Sequence, residues 1–144
     1  MTVALVDDYT LGRVLRGDLP RELDPEETIY TTGCWYLRLC QAVLGRHQVV
    51  GQLSRPFRDL PDELRDRALG LVVELPVTIG LISLRDLAPR IPRLRHDHLL
   101  NLLSIEALAA AMALDATVVL STPSPMLEAA LAAEGQPVRL VVDS

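Results

Sequence analysis

The chain predicts an α/β fold, one domain spanning residues 1–144 with a mostly parallel central sheet flanked by helices, and three observations carry that expectation. Short, continuous apolar runs stand near both ends, at 2–6, 117–121 and 138–142. Segments of ten or more residues with helical spacing separate them, the length that a parallel crossover requires. At 144 residues the chain has the size of one domain and can bury roughly 70% of its unfolded surface around one core.

Taken in order, Thr2 to Val6 reads as a strand buried on both faces whose end meets solvent at Asp7 and Asp8. Leu11, Val14 and Leu15 give Tyr9 to Arg16 a helical spacing that Gly17 and Pro20 stop. Asp18 to Glu27 is polar and contains proline, as a surface loop or arm does. From Thr32 to Leu44, Trp35, Leu39 and Val43, with Tyr36, Cys40 and Leu44, recur as the faces of a core helix that holds no acid. Asp59 reads as the N-cap of a helix with Asp62 and Glu63 in its first turn, closed by Gly70. Leu71 to Ile79 reads as a strand that Pro76 confines to an edge or a bulge. Ser83 and Asp86 form a capping box for a short helix limited by Pro89 and Pro92. Asp97 to Leu114 is the strongest helical run, with a break near Ser104. A strand at Thr117 to Ser121, a helix from Pro125 to Ala133 ended by Gly135, and a strand at Val138 to Val142 complete the chain.

Apolar residues make up 49% of the chain but aromatic residues only 3%, so the core is aliphatic and base stacking on rings is not the main binding device. All fourteen basic residues are Arg, a bias that suggests a GC-rich bacterial genome. The net charge of −5 is uneven: Arg38 to Arg95 holds ten Arg against six acids, the remainder four against thirteen. A basic middle suits an anionic ligand such as RNA, or is a mixed solvated surface. Cys34 and Cys40 are expected to be reduced, buried thiols about 120° apart around a helix axis. No charged leader precedes an apolar run and no stretch approaches the roughly 18 apolar residues of a membrane span, so no membrane association and a cytoplasmic location are expected.

Because ligands of open parallel sheets lie beyond the carboxyl ends of the strands, Asp7, Asp8 and the loop from Ser121 to Ser124 should share one edge. Glu106 poses a separate problem. Its neighbours one turn away are Leu102, Leu103, Ala109 and Ala110, a face that packs. A buried, unpaired carboxylate costs several kcal/mol unless it is protonated, paired or given a metal. Alternatively it favours a helix start, or reaches solvent past small alanines. His96 and His98 in "RHDH" form an H-x-H that is either a transition-metal site, though no Cys or further His accompanies it, or the start of a solvated helix. Asp97, Asn101 and Ser104 share one stripe of the expected helix as a polar rim. Arg85, Arg90, Arg93 and Arg95 make either a phosphate clamp or a solvated basic turn. Trp35 and Tyr36 stand at core spacing, which favours packing over base stacking. No G-x-G-x-x-G, P-loop or G-x-S-x-G is present.

The runs "VALVDD", "EALAAAMAL", "ATVVLS", "PMLEAALAAEG" and "PVRLVV" resemble the PIN domain, the fold of ribonuclease toxins in bacterial toxin–antitoxin pairs. The likeness covers the first strand and helix and the last third of the chain, and the middle in element order only. It implies a PIN-like parallel sandwich whose acids gather at the carboxyl edge and hold Mg²⁺ or Mn²⁺ for RNA hydrolysis. Asp7 matches the acid ending the first strand, and Glu106 stands where the family has an Asp opening its alanine-rich helix. The resemblance thus makes Asp7 and Glu106 catalytic metal ligands, Asp8 an auxiliary acid and ligand, and Ser121 and Ser124 outer groups of the cofactor site. Two departures stand out. No Asp or Glu occurs between Glu27 and Asp59, so the second core helix supplies no acid, and hydroxyls at Ser121, Thr122 and Ser124 follow the strand where an acid is usual. The expected function is therefore a divalent-metal-dependent ribonuclease of toxin type with a degenerate acidic site, or a catalytically inactive PIN-like module binding RNA or a protein partner. An antitoxin protein and a second copy packing through the helices, making a homodimer, are the further partners expected.

Overall fold

Two apolar strands with no polar face force the architecture, because each must be covered on both sides. In the computed structural model, which describes residues 2–45 and 51–142, these are β1 (Val3–Val6) and β4 (Thr117–Leu120), paired in parallel at the centre of the sheet. Outside them lie β2 (Thr28–Thr31), β3 (Ile79–Leu81) and β5 (Val138–Leu140), in the spatial order β3-β2-β1-β4-β5 with every pairing parallel. The protein is thus a single α/β domain, as expected.

Strand alternation sends side chains to two cores. Leu5, Val118 and Leu120 belong to one, covered by α5 (Leu84–Leu87), α6 (Ile91–Asp97), α7 (Leu102–Leu114) and α8 (Pro125–Ala133). Ala4, Val6 and Val119 belong to the other, covered by α1 (Asp8–Leu15), α2 (Gly33–Leu44), α3 (Arg55–Arg58) and α4 (Asp62–Val73). The most apolar helix, α7, buries seven consecutive residues from Ile105 to Ala111, so it has no solvent face over that stretch. Among the described residues no single helix is long and apolar enough to cross a membrane.

Several boundaries differ from the sequence expectation, each for a local reason. The strand expected at 71–79 begins only at Ile79. Leu71, Val72 and Val73 instead extend α4, where Ala68 and Val72 keep helical spacing against the core and Tyr36 Oη donates to the Val72 carbonyl at 2.7 Å. Gly70 therefore lies inside α4 rather than closing it. Asp59 ends α3, a helix not anticipated, and α4 starts after Pro61 with Asp62 and Glu63 in its first turn, as expected. The break in the long run falls earlier than Ser104: α6 starts at Ile91 with Pro92 in its first turn, and α7 starts after Asn101, whose side chain accepts from the Ser104 amide at 2.9 Å. The two helices meet at 107°, so Asp97, Asn101 and Ser104 share no helix stripe. Both cysteines are free and only half-buried. Strand β2 was not anticipated, and its Tyr30 ring occupies the space where a Cβ on Gly80 of β3 would stand.

The 18–27 segment is a loop, yet Pro20, Leu23 and Glu27 within it are buried. Arg139 of β5 holds it down, donating to Glu27 Oε1 at 2.7 Å, to Glu27 Oε2 at 2.9 Å and to the Glu22 carbonyl at 2.8 Å. This two-pronged pair holds the Glu27 carboxyl below its usual range. A depressed carboxyl stabilises the fold above the unfolded glutamate pKa of about 4.3, and the contribution fades as pH falls through the folded value. Arg139→Gln should therefore lose about 2–3 kcal/mol in urea unfolding at pH 7, and the gap from wild type should shrink below pH 4.

Candidate functional site

The central parallel pair delivers its two carboxyl ends, Asp7 and Ser121, to the same edge of the sheet. Asp7 is the N-cap of α1, its Oδ1 accepting from the Thr10 amide at 3.0 Å. Its Oδ2 accepts from the Ser121 amide at 2.8 Å and the Ser121 hydroxyl at 2.7 Å. One carboxylate thus joins the end of β1, the start of α1 and the end of β4. Asp8 accepts from the Tyr9 amide through Oδ1 at 2.8 Å, and its Oδ2 faces Arg38 Nε of α2 at 3.3 Å. Burial and then the charge of Asp7 push the Asp8 carboxyl above its ordinary range, against the pull of the Tyr9 amide and Arg38.

Glu106 is fully buried in α7. Its Oε1 accepts from the Cys34 amide at 2.9 Å, in the first turn of α2, and its carboxylate lies against Gly33. That first turn contains no acid of its own, and Glu106 supplies an acceptor to the amino end of α2 from 72 positions away. Its Oε2 has no hydrogen-bond partner. Burial, reinforced by the adjacent Glu106 carboxylate, pushes the Cys34 thiol up to about 11.

A cleft of about 620 Å³ opens at this edge, lined by Asp7, Asp8, Arg38, Ser121, Thr122 and Ser124, with Leu103 and Ser104 at the start of α7. A second hollow of about 420 Å³ shares Tyr9, Ser121 and Thr122 with it and adds Arg55. The structure therefore brings four of the expected residues, Asp7, Asp8, Ser121 and Ser124, to one cleft, whereas Glu106 does not line it. Ser124 is bound locally, its amide donating to Glu128 Oε2 at 2.7 Å. Among the described residues, no group of three or more His, Cys, Asp or Glu side chains is placed to hold a metal ion. The expected donor set is incomplete for Mg²⁺ or Mn²⁺, because Asp7 and Asp8 line the cleft and Glu106 does not. Both oxygens of Asp7 and both of Asp8 already face donors of the chain, and the remaining free oxygen, Glu106 Oε2, is sealed from the cleft.

Of the other candidates, His98 pairs with Glu134, just past the end of α8, at 2.7 Å and His96 is exposed, so the two do not converge. Trp35 is buried in the core and forms part of the cleft wall. Arg38 was missed as a site residue. The signal lay in its place as the sole cation of the 32–44 helix, one turn beyond Cys34. Arg46 of the basic middle lies outside the described residues.

Glu106→Ala removes the acceptor of the Cys34 amide and leaves a void, and should cost about 2–4 kcal/mol in chemical denaturation. Glu106→Gln keeps the Oε1 acceptor and should cost about 1 kcal/mol. Alkylation of Cys34 at pH 8, followed by mass spectrometry, should run on the order of a hundredfold slower than that of an exposed thiol. Glu106→Gln should speed it. No family model matches the chain, and no curated protein or solved structure is significantly similar to it.

Proposed function

We propose that this chain is a PIN-like domain whose carboxyl-edge cleft binds RNA without hydrolysing it. The reading rests on one arrangement: the acids at the edge serve as internal acceptors, while Arg38, more than half exposed, stands at the cleft beside Asp8. A guanidinium offers planar donors suited to a phosphate, and the hydroxyls of Ser121, Thr122 and Ser124 add neutral donors to the same wall. Arg55 in the adjoining hollow extends the cationic track. Phosphate contacts of this kind give affinity that falls with salt and carries little sequence preference.

One observation favours metal-dependent hydrolysis as a second reading. Asp7 and Asp8 stand side by side in the wall of the cleft, and neighbouring carboxylates are the kind of ligand that a hard divalent cation takes.

Fluorescence anisotropy with a labelled single-stranded RNA separates the two. Binding should weaken about tenfold in Arg38→Gln and fall with added salt. In millimolar Mn²⁺ the RNA should stay intact and the melting temperature should not rise. Cleavage by the wild type that disappears in Asp7→Asn would replace the binding reading with the hydrolytic one. Asp7→Asn should also lose about 1–2 kcal/mol of stability, because Nδ2 cannot accept from the Ser121 amide.

A further inference from the structure

The arginines around α6 are not absorbed by the cleft. Arg85, Arg90, Arg93 and Arg95 are all exposed, and none forms an ion pair or side-chain hydrogen bond among the described residues. The acids of the same stretch, Asp86 and Asp97, are exposed and pair with none of them. Two of the four share a further property. Arg90 and Arg93 stand over a hollow of about 330 Å³ whose remaining walls are Pro89, Leu94 and Met112, so two cations flank an apolar floor.

That pairing selects a ligand class. A simple anion would use the guanidinium groups and leave the floor wet, and an apolar ligand would leave the charges unanswered. A nucleotide has both halves, a phosphate for the arginines and a base or ribose face for the polarizable Met112 thioether and Leu94. Ser104 in the wall of the cleft and Met112 in the wall of the hollow both belong to α7, about 12 Å apart along its axis.

We infer that Arg90 and Arg93 form a second phosphate-binding surface, which takes the sugar–phosphate backbone of an RNA strand and seats one nucleotide over Met112. This rests on the reading of RNA as the ligand of the cleft, and the two sites are separable by substitution. Neither arginine side chain makes a hydrogen bond or ion pair among the described residues, and glutamine keeps the backbone contacts of Arg90, so Arg90→Gln/Arg93→Gln should unfold with the wild-type midpoint.

The test measures anisotropy of a labelled single-stranded RNA of about twelve nucleotides over a salt series, with wild type, Arg38→Gln and Arg90→Gln/Arg93→Gln. The double variant should bind about tenfold more weakly, and the slope of log K against log salt should become shallower by about 1.4, as two lost single-strand phosphate contacts require. A double variant that matches the wild type in affinity and slope, beside a weakened Arg38→Gln, overturns this inference and leaves the cleft reading in place. The opposite pattern supports this surface and removes the cleft. Absence of RNA binding by the wild type overturns both.

Discussion

A helix with no solvent face dictates much of this molecule. The Ile105 to Ala111 stretch of α7 is buried on every side, so the sheet lies under it and α5, α6 and α8 close around it. Alanine makes this possible, because small side chains let a helix approach its neighbours closely and lose little entropy on burial. The arrangement has one difficult member, Glu106. A carboxyl group enclosed by alanine and leucine needs a partner, and the amino end of α2 supplies one through the Cys34 amide. This one contact joins the two helix layers at the edge of the sheet.

The same contact reframes the acid missing from α2. The helix has no negative residue in its first turn, and an acceptor comes instead from α7. Asp7 plays a comparable part at the neighbouring position, where one carboxylate caps α1 and ties down the end of β4. Carboxylates committed in this way define the shape of an edge rather than its chemistry. Beside Asp7 and Asp8, the wall of the cleft carries the Arg38 guanidinium and the hydroxyls of Ser121, Thr122 and Ser124, all of them hydrogen-bond donors.

How far the sequence revealed this depended on how many residues carried each signal. The strands β1 and β4 were legible because both faces are buried and their runs are continuous, and α8 was legible because Pro125 and Gly135 bracket it. The position of β3 was not, since Leu71, Val72 and Val73 suit a strand as well as a helix end, and the contacts that make them helical, core packing of Val72 and the Tyr36 hydroxyl on its carbonyl, are tertiary. Strand β2 has four residues, too few for an alternating pattern to stand out. At the site, Asp7, Asp8, Ser121 and Ser124 could be placed on one edge by the rule for parallel sheets. The partner of Glu106 could not, because a backbone amide 72 residues away leaves no mark in the local pattern. Arg38 was equally hidden, its meaning set by an Asp8 on another helix.

The sheet's outermost strands, β3 and β5, are three residues each, and the loop pinned by Arg139 lies against β5, where Glu22 also accepts from the Val142 amide at 3.1 Å. Edges so short, one of them also covered by the loop, offer a foreign strand little backbone to zip onto. Polymerisation by strand addition is thereby discouraged.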